Sequence, residues 1–454
     1  MLFNIRKRAF WGLLLAVLFL VSFFISARYF SQRPRVRLGE HVIFCNPRAR
    51  INPKKLYHLK LWDYEWPVNQ KQGGYKAFLQ KAVADFRKVY PNIEVEITLL
   101  DLLKGPQQFT QALQSGLAPD VYCSAFTIPP FDYQRQIPVG FYLKKEEMEA
   151  YYPSLLNLTL RHDIVCYFPR WTTPGIWAGN RQLLEKAGLS PVQLQQQGWS
   201  LSTFWDTASK TPPGVFLLVG NPAYNGFFTQ LAGGFTASKS GTFQLNGLKT
   251  GSTRVNYTID QLAGLITRRK IPPDFDSNMM GHFLAGKSMF LAGVRPVLFR
   301  FLKERATANQ SAWDPVLLPP PSPLWPKQLL LVENSVIGVY RNKFTRGNDQ
   351  LTAAVKLGQF LSMYRNVTPY QEMMAIPAVK ANARLWKMKL EGLGAGCSFL
   401  MNLIEKASLI DLGTAPDYQE TVYPVLRDFL AGKITKEIAA ARLISEKALI
   451  PGPK

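Results

Sequence analysis

Past its first 56 residues, the chain alternates between two hydrophobic spacings. Residues 57–62 (YHLKLW) and 93–99 (IEVEITL) alternate apolar with polar side chains, the period-two pattern of a strand. Residues 75–90 place apolar side chains at helical spacing instead. A short helix that stops at Gly116 and an apolar strand at 120–125 (DVYCSA) follow. The pattern predicts strand–helix–strand–helix–strand.

Short joints between such elements favour right-handed crossovers in a parallel sheet. Ligands of open α/β sheets gather beyond the carboxyl ends of the strands. The loops there would be 62–66 (WDYEW) and 124–127 (SAFT). Asp120 follows Pro119 at the opposite end of its strand, so we expect its carboxylate to accept backbone N–H groups and fix the turn.

A second α/β region follows the first. It contains a helix at 181–188, an apolar strand at 214–220 and a proline-dense stretch at 315–326 that predicts an extended connection. Residues 329–340 read as another strand, and helical segments run from there toward residue 454. A chain of 454 residues exceeds one ordinary core, so two domains are expected.

Residues 9–27 (AFWGLLLAVLFLVSFFISA) form an uncharged run of 19 residues. As a helix this run would be about 28 Å long, close to the hydrocarbon thickness of a bilayer. The run exceeds the usual h-region of a signal peptide. We therefore predict an N-terminal membrane anchor, or uncleaved signal, over residues 1–30, with a cleaved signal peptide as the alternative. The basic, proline-containing residues 31–56 would be a linker.

The net charge of +23 is unevenly placed, since residues 1–60 hold 12 Lys and Arg but one acidic residue, Glu40. No dense basic cluster with interleaved aromatics follows, so no nucleic-acid partner is predicted. Neither a P-loop nor a G-x-S-x-G, H-E-x-x-H or G-x-G-x-x-G motif occurs, and we expect no enzyme and no cofactor. Four histidines without ligand spacing and four scattered cysteines predict no metal site. Buried free thiols are expected, with a disulfide as the alternative.

Several short motifs occur in an order that resembles extracellular solute-binding protein family 1, the maltose-binding-like group of ABC importers. The resemblance spans about residues 57–450. Its elements are VADFRKVYPNIEVEI (83–97), SGLAPDVY (115–122), HDIVCYFPRWTTPGIWAGNRQLLEKAGL (162–189), GWSLSTFWDTASK (198–210), FLAGKSMFLAG (283–293) and VLLPPPSP (316–323). The family's lipid-attachment cysteine has no counterpart, so the apolar run would replace the lipid.

The resemblance implies a two-lobe, periplasmic-binding-protein-like α/β fold with a hinge. The first lobe would comprise 57–168 and 327–395, and the second 169–326 and 396–454. The protein would be a monomer anchored in the cell membrane, with its body on the extracytoplasmic side. It would close on a small solute, expected to be a sugar, and deliver that solute to ABC permease subunits. A ligand sensor that signals to a receptor and a glycan hydrolase are the alternatives.

Three residues of the first loop suit a sugar. The indole rings of Trp62 and Trp66 can stack on a sugar ring, and the carboxylate of Asp63 can accept hydrogen bonds from its hydroxyls. The resemblance adds the small polar residues Ser124 and Thr127 and the hinge residues Trp171 and Thr173. It also adds the second-lobe residues Tyr224, Asn225 and Arg295, and Glu333 near the return strand. For the tryptophans, packing on their own lobe is the alternative; for Arg295, an ordinary surface position.

Overall fold

A computed structural model gives the fold. It describes residues 18–22, 34–68, 73–220, 225–232, 235–237, 243–245, 252–273, 275, 278–308, 314–390, 396–411 and 422–444. Residues 18–22 are helical. In the described ranges no helix is long and apolar enough to cross a membrane. Most of the predicted anchor at 9–27 lies outside the described residues.

Strands and helices alternate along the body. The strands are β1 Val36–Leu38, β2 His41–Ile43, β3 Tyr57–Tyr64, β4 Ile93–Leu100, β5 Val121–Cys123, β6 Gln136–Ile137, β7 Leu160–Arg161, β8 Ile164–Val165, β9 Phe168–Pro174, β10 Ile176–Asn180, β11 Phe216–Gly220, β12 Phe235–Ala237, β13 Phe243–Leu245, β14 Ser288–Val294, β15 Pro315–Leu318, β16 Leu329–Tyr340, β17 Ile376–Pro377 and β18 Ser408–Asp411. The helices are α1 Gly74–Val89, α2 Gly105–Gln114, α3 Lys145–Glu149, α4 Pro153–Leu158, α5 Arg181–Lys186, α6 Pro191–Gln197, α7 Leu201–Lys210, α8 Asn225–Ala232, α9 Ser252–Thr267, α10 Met279–Leu284, α11 Pro296–Ala308, α12 Asn348–Met363, α13 Thr368–Glu372, α14 Lys380–Leu390, α15 Gly396–Lys406, α16 Tyr423–Leu430 and α17 Lys436–Ile444.

An eight-stranded sheet forms the first lobe. Its order is β17-β9-β16-β5-β3-β4, and β6 and β18 also pair with β16. β3 is parallel to β4 from Tyr57 opposite Ile93 to Tyr64 opposite Leu100, and it is also parallel to β5. The parallel strand–helix–strand–helix–strand unit predicted from the sequence is thereby confirmed.

A four-stranded sheet in the order β11-β14-β10-β15 forms the second lobe. Its core contains Trp177, Trp199, Phe204 and Phe290, whose rings pack at 5.1–6.0 Å between centroids. Several apolar residues of this lobe, including Leu317, join the continuous core cluster of the first lobe, so the two lobes share an apolar contact.

The chain crosses between the lobes at the joints β9–β10, β15–β16 and β18–α16. Gly175 lies in the first joint, and its N–H donates to the Leu331 carbonyl of β16 at 2.9 Å. Two crossing segments are therefore tied together at the hinge.

Two stretches differ from the expected domain boundaries. Residues 31–56 were expected to be an extended linker, yet β1 and β2 form a hairpin that buries Leu38, Ile43 and the adjoining Cys45 in the core of the first lobe. Residues 396–411 were assigned to the second lobe, yet β18 runs parallel to β16 in the larger sheet. Their apolar side chains find buried surface on the first lobe, which the linear pattern does not reveal. All four cysteines are buried and free, as predicted.

Candidate functional site

The candidate site lies where β3, β5, β9 and β16 meet the second lobe. Parallel β3 and β5 carry their carboxyl ends to this edge, and β9 and β16 cross it beside the hinge. The sheet order thus brings together the loops after Tyr64 and Cys123 and the middle of two long strands. We call this region the crevice.

Asp63 lies beneath the crevice instead of facing it. Its side chain is fully buried, and its two oxygens accept hydrogen bonds from Arg170 at 3.0 and 2.8 Å. The Tyr75 hydroxyl donates to the same carboxylate at 2.9 Å and also contacts Arg170. Burial lowers the pKa of Arg170, but Asp63 and the other groups around it together raise that pKa well above its ordinary value, so the guanidinium stays charged. The ligand role expected for Asp63 is replaced by a positioning role, because its acceptors are occupied.

Three aromatic side chains form the crevice wall. The Trp66 ring stands edge-on to Trp171 at 5.2 Å and to Phe126 at 5.3 Å between centroids. Trp66 and Trp171 are 4% and 3% exposed, and neither indole N–H has an acceptor among the described residues. Trp62 is half-buried and packs on the core of the first lobe. A buried N–H without an acceptor costs on the order of 1–3 kcal/mol. The two donors belong to rings that contact each other.

The small polar candidates differ in their surroundings. The Ser124 hydroxyl accepts the Val336 N–H at 3.0 Å and so fastens β5 to β16. Thr173 is buried opposite Glu333 in the β9–β16 pairing. Thr127 is exposed at the rim. Of these three, Thr127 keeps its side chain open to solvent.

Arg295 reaches from the second lobe to the first. Its Nη2 lies 2.6 Å from Oε1 of Glu333, and its guanidinium lies over the Phe126 ring at 5.5 Å from the centroid. Burial raises the pKa of the Glu333 carboxyl, and the charge of Arg295 opposes that rise. One side chain of the second lobe thus joins both a carboxylate and an aromatic ring of the first.

The hinge beside this contact is nearly solid. Its cavity has a volume of about 10 Å³, at the lower limit for one water molecule. The lobes are therefore in contact here. Tyr224 lies outside the described residues, and Asn225 begins α8 with its side chain likewise outside the description. Among the described residues, no group of three metal-binding side chains occurs.

Sequence reasoning did not find Phe126, Tyr75 or the role of Arg170. A charged residue within the otherwise apolar and small-polar strand FPRWTTP (168–174) is the feature that points to Arg170, since a buried charge requires a partner. Nothing in the local pattern identifies that partner as Asp63, which is 107 positions away.

The chain was compared with known proteins. Residues 70–266 match the family model described as bacterial extracellular solute-binding protein. No curated protein matches by sequence.

Solved structures match across most of the chain. Maltose-bound T. maritima MalE3 has a TM-score of 0.54 at 17% identity, covering 86% of this chain and 99% of its own. The sugar-binding protein MalE from Xanthomonas citri has a TM-score of 0.59 at 14% identity, covering 85% and 95%. Lmo0181 from Listeria monocytogenes, an ABC substrate-binding protein in complex with cycloalternan, has a TM-score of 0.56 at 13% identity, covering 87% and 98%.

These likenesses confirm the two-lobe, periplasmic-binding-protein-like α/β fold. The family-model match agrees with the resemblance recognised from the sequence: residues 70–266 carry the pattern of a bacterial extracellular solute-binding protein.

Proposed function

We propose that the protein is the substrate-binding component of an ABC importer and that it captures a carbohydrate by closing its two lobes. The matching family model is one of solute-binding proteins, and the structural neighbours include maltose-bound MalE3 and the sugar-binding protein MalE. A sugar offers apolar C–H faces and hydroxyl oxygens. Tryptophan side chains can bind both, because the indole ring stacks on the C–H face and the indole N–H donates to an oxygen.

The pair of indole N–H donors of Trp66 and Trp171 carries this proposal. Both are buried, and neither has an acceptor in the described ranges. Trp66 packs on Phe126, and Arg295 of the second lobe lies over that same ring. A sugar hydroxyl or ring oxygen would supply that acceptor. The Arg295 contact beside them joins the lobes, so a ligand at this point would touch both and favour closure.

The test titrates the purified full chain with a panel of mono- and oligosaccharides and follows tryptophan fluorescence and heat. Trp171→Phe keeps an aromatic ring but removes the N–H, so we expect about tenfold weaker binding, the equivalent of about 1.4 kcal/mol. Trp171→Ala removes ring and donor, and we expect a loss of about 2 kcal/mol or more.

Trp205→Phe is the matched control. Trp205 is also buried with an N–H that lacks an acceptor among the described residues, but it lies on α7 in the core of the second lobe. Its replacement should leave affinity unchanged. Sugars that produce no saturable response, or a Trp205→Phe effect equal to that of Trp171→Phe, would count against the crevice as the binding site.

Closure has its own measurement. Small-angle scattering of the full chain should show a smaller radius of gyration with a bound sugar than without it, because a ligand that touches both lobes stabilises their contact. Identical scattering curves at saturating ligand would rule out capture by closure. Release of free reducing ends during the titration would instead indicate a glycan hydrolase.

The proposal includes an N-terminal membrane anchor at residues 9–27. The uncharged run of 19 residues supports it, since its helical length would match a bilayer. The full chain should stay in the membrane pellet after an alkaline carbonate wash, and a variant lacking residues 9–27 should appear in the supernatant. Release of the full chain by the same wash would contradict the anchor.

A further inference from the structure

We infer that the first lobe carries a second interaction surface, at the end opposite the crevice, that docks on an anionic lipid bilayer. This inference rests on the anchor of the proposed function. The surface consists of the exposed residues Val42, Phe44, Arg48, Arg50, Lys54, Leu56, Lys60, Lys343 and Phe344. We call it the basal surface.

Three separate chain segments build the basal surface, and direct contacts hold them together. Arg341 donates to the Phe44 carbonyl at 2.5 Å, and Thr352 donates to the Ala49 carbonyl at 3.1 Å. The Lys343 N–H donates to the Gly116 carbonyl at 3.1 Å. The residues before β3, before β5 and after β16 therefore form one continuous face.

The segments that build this face carry an excess of positive charge, with the exposed Glu94 and Glu96 of β4 opposite His58 and Lys60 at its border. Residues 34–60 and 341–349 together contain ten Lys and Arg but two acidic residues, Glu40 and Asp349. Asp349 is already held by Lys55 at 2.7 Å. Each Lys or Arg near an anionic leaflet adds to the electrostatic attraction. A surface with this imbalance fits negatively charged headgroups.

Large apolar side chains stand among these charges. Phe344 is 55% exposed, Leu56 54% and Phe44 44%, and the ammonium groups of Lys60 and Lys343 lie over the Phe344 ring at 5.7 and 5.2 Å. Aromatic and leucine side chains between basic residues are typical of surfaces that rest in the headgroup region of a membrane. A nucleic acid would meet the same charge, but the leucine and phenylalanine exposure favours lipid.

A groove of about 450 Å³ opens at the edge of the basal surface. Val42, Ile43 and Phe44 form one wall, and Arg341 lies beside them. An apolar wall next to a guanidinium suits the boundary between phosphate groups and acyl chains.

The position of the anchor places this surface against the membrane. Six residues separate Ala27, the end of the apolar run, from Pro34, which lies two positions before β1. The seven steps from Ala27 to Pro34 span at most about 25 Å when extended. β3 runs from the basal surface to the crevice, and its eight residues correspond to about 25 Å. Docking would thus hold the crevice well above the bilayer and open to solutes.

The test places the full chain in nanodiscs of neutral phosphatidylcholine or of phosphatidylcholine mixed with phosphatidylglycerol. Amide hydrogen exchange is followed in peptides from 36–56 and 341–347, with peptides from 288–294 of the second lobe as internal reference. We expect the peptides from 36–56 and 341–347 to exchange more slowly in the discs that contain phosphatidylglycerol than in the neutral discs. The protection should disappear at 1 M salt, where the screening length falls to about 3 Å.

The variant Arg48→Glu/Arg50→Glu/Lys54→Glu should lose the lipid-dependent protection. The control Lys186→Glu/Lys210→Glu/Arg268→Glu makes the same charge change at exposed sites of the second lobe and should keep it. Equal exchange in both disc types would overturn the inference, and so would protection that persists in the basal variant. Protection that requires an acidic partner protein instead of lipid would also overturn it.

Failure of the chain to enter either disc type would overturn both the anchor and the basal surface. Sugar titration separates these outcomes from the binding function. The basal variant should bind sugar as the unmodified chain does, because the crevice lies at the other end of the lobe.

Discussion

Two arginine–carboxylate pairs lie near the crevice, and their surroundings differ. Arg170 and Asp63 belong to one sheet, and their side chains are 2% and 0% exposed. Arg295 and Glu333 come from different lobes and are 45% and 10% exposed. The first pair is part of a lobe interior, whereas the second exists only while the lobes are in contact.

The comparison shows that location decides what an ion pair does. Removing one partner of a buried pair leaves an uncompensated charge in a poorly solvated site, so the fold depends on both. A half-exposed pair contributes little to stability because water and salt screen it. It can still bias an equilibrium between open and closed lobes, since those states differ by small free energies.

The largest expected effect is on the buried pair. Arg170→Met leaves Asp63 ionised and buried, and we expect a loss of about 3–5 kcal/mol in the free energy of unfolding, measured by urea denaturation. The double variant Asp63→Leu/Arg170→Met removes both charges and should recover most of that loss. A single variant within about 1 kcal/mol of the unmodified chain would show that the Asp63 site is solvated.

Asp120 sharpens the comparison, since it is a buried carboxylate held by amides. It accepts the Lys60 N–H at 2.8 Å and side-chain amides of Gln350 and Asn342 at 3.2 and 3.4 Å. Asp120→Ala should cost about 1–3 kcal/mol of unfolding free energy, because these donors lose their acceptor. Asp120→Asn keeps one acceptor oxygen and should cost less. Equal losses in the two variants would assign the effect to packing instead.

The interlobe pair should show the opposite behaviour. Arg295→Ala should change the unfolding free energy by at most about 1 kcal/mol. The radius of gyration of the ligand-free chain should nevertheless increase, because the contacts to Glu333 and Phe126 are lost. Arg300→Ala is the control, since Arg300 pairs with Glu304 on the same helix of the second lobe. An equal expansion in both variants would argue against an interlobe role of Arg295.

The smallest effect is the pH dependence of Glu333. Burial raises its pKa above the ordinary 4.5, although Arg295 opposes the rise. A raised carboxyl pKa means that the folded chain holds the proton more tightly than the unfolded chain. Stability should therefore fall as the pH rises from 4.5 through the raised pKa, relative to Glu333→Gln.

The measurement for Glu333 is the difference between the urea midpoints of the two chains across this pH range. Its slope is at most about 1.4 kcal/mol per pH unit, because one proton is involved. A difference that grows in favour of the ionised form would show that Arg295 outweighs burial.

The sequence by itself determined the elements and their order. Period-two and helical spacings gave β3, α1, β4 and β16 nearly to the residue, because these patterns reflect which side of each element is buried. The sequence also predicted that Asp120 accepts a backbone N–H, and it does; the donor, however, is Lys60 of the adjacent strand β3 and not the turn before Asp120. The ordered motifs were enough to recognise a family resemblance, which the family model matches over residues 70–266.

Tertiary structure alone decided the contacts between distant segments. The Asp63–Arg170 pair joins residues 107 positions apart, and β18 reaches β16 from a stretch assigned to the other lobe. The hairpin of β1 and β2 is buried by the first lobe, although its composition resembles a linker. Such contacts follow from the order of the strands in the sheet. They cannot be predicted from local hydrophobic spacing, because that spacing indicates which side of an element is buried but not which neighbouring element covers it.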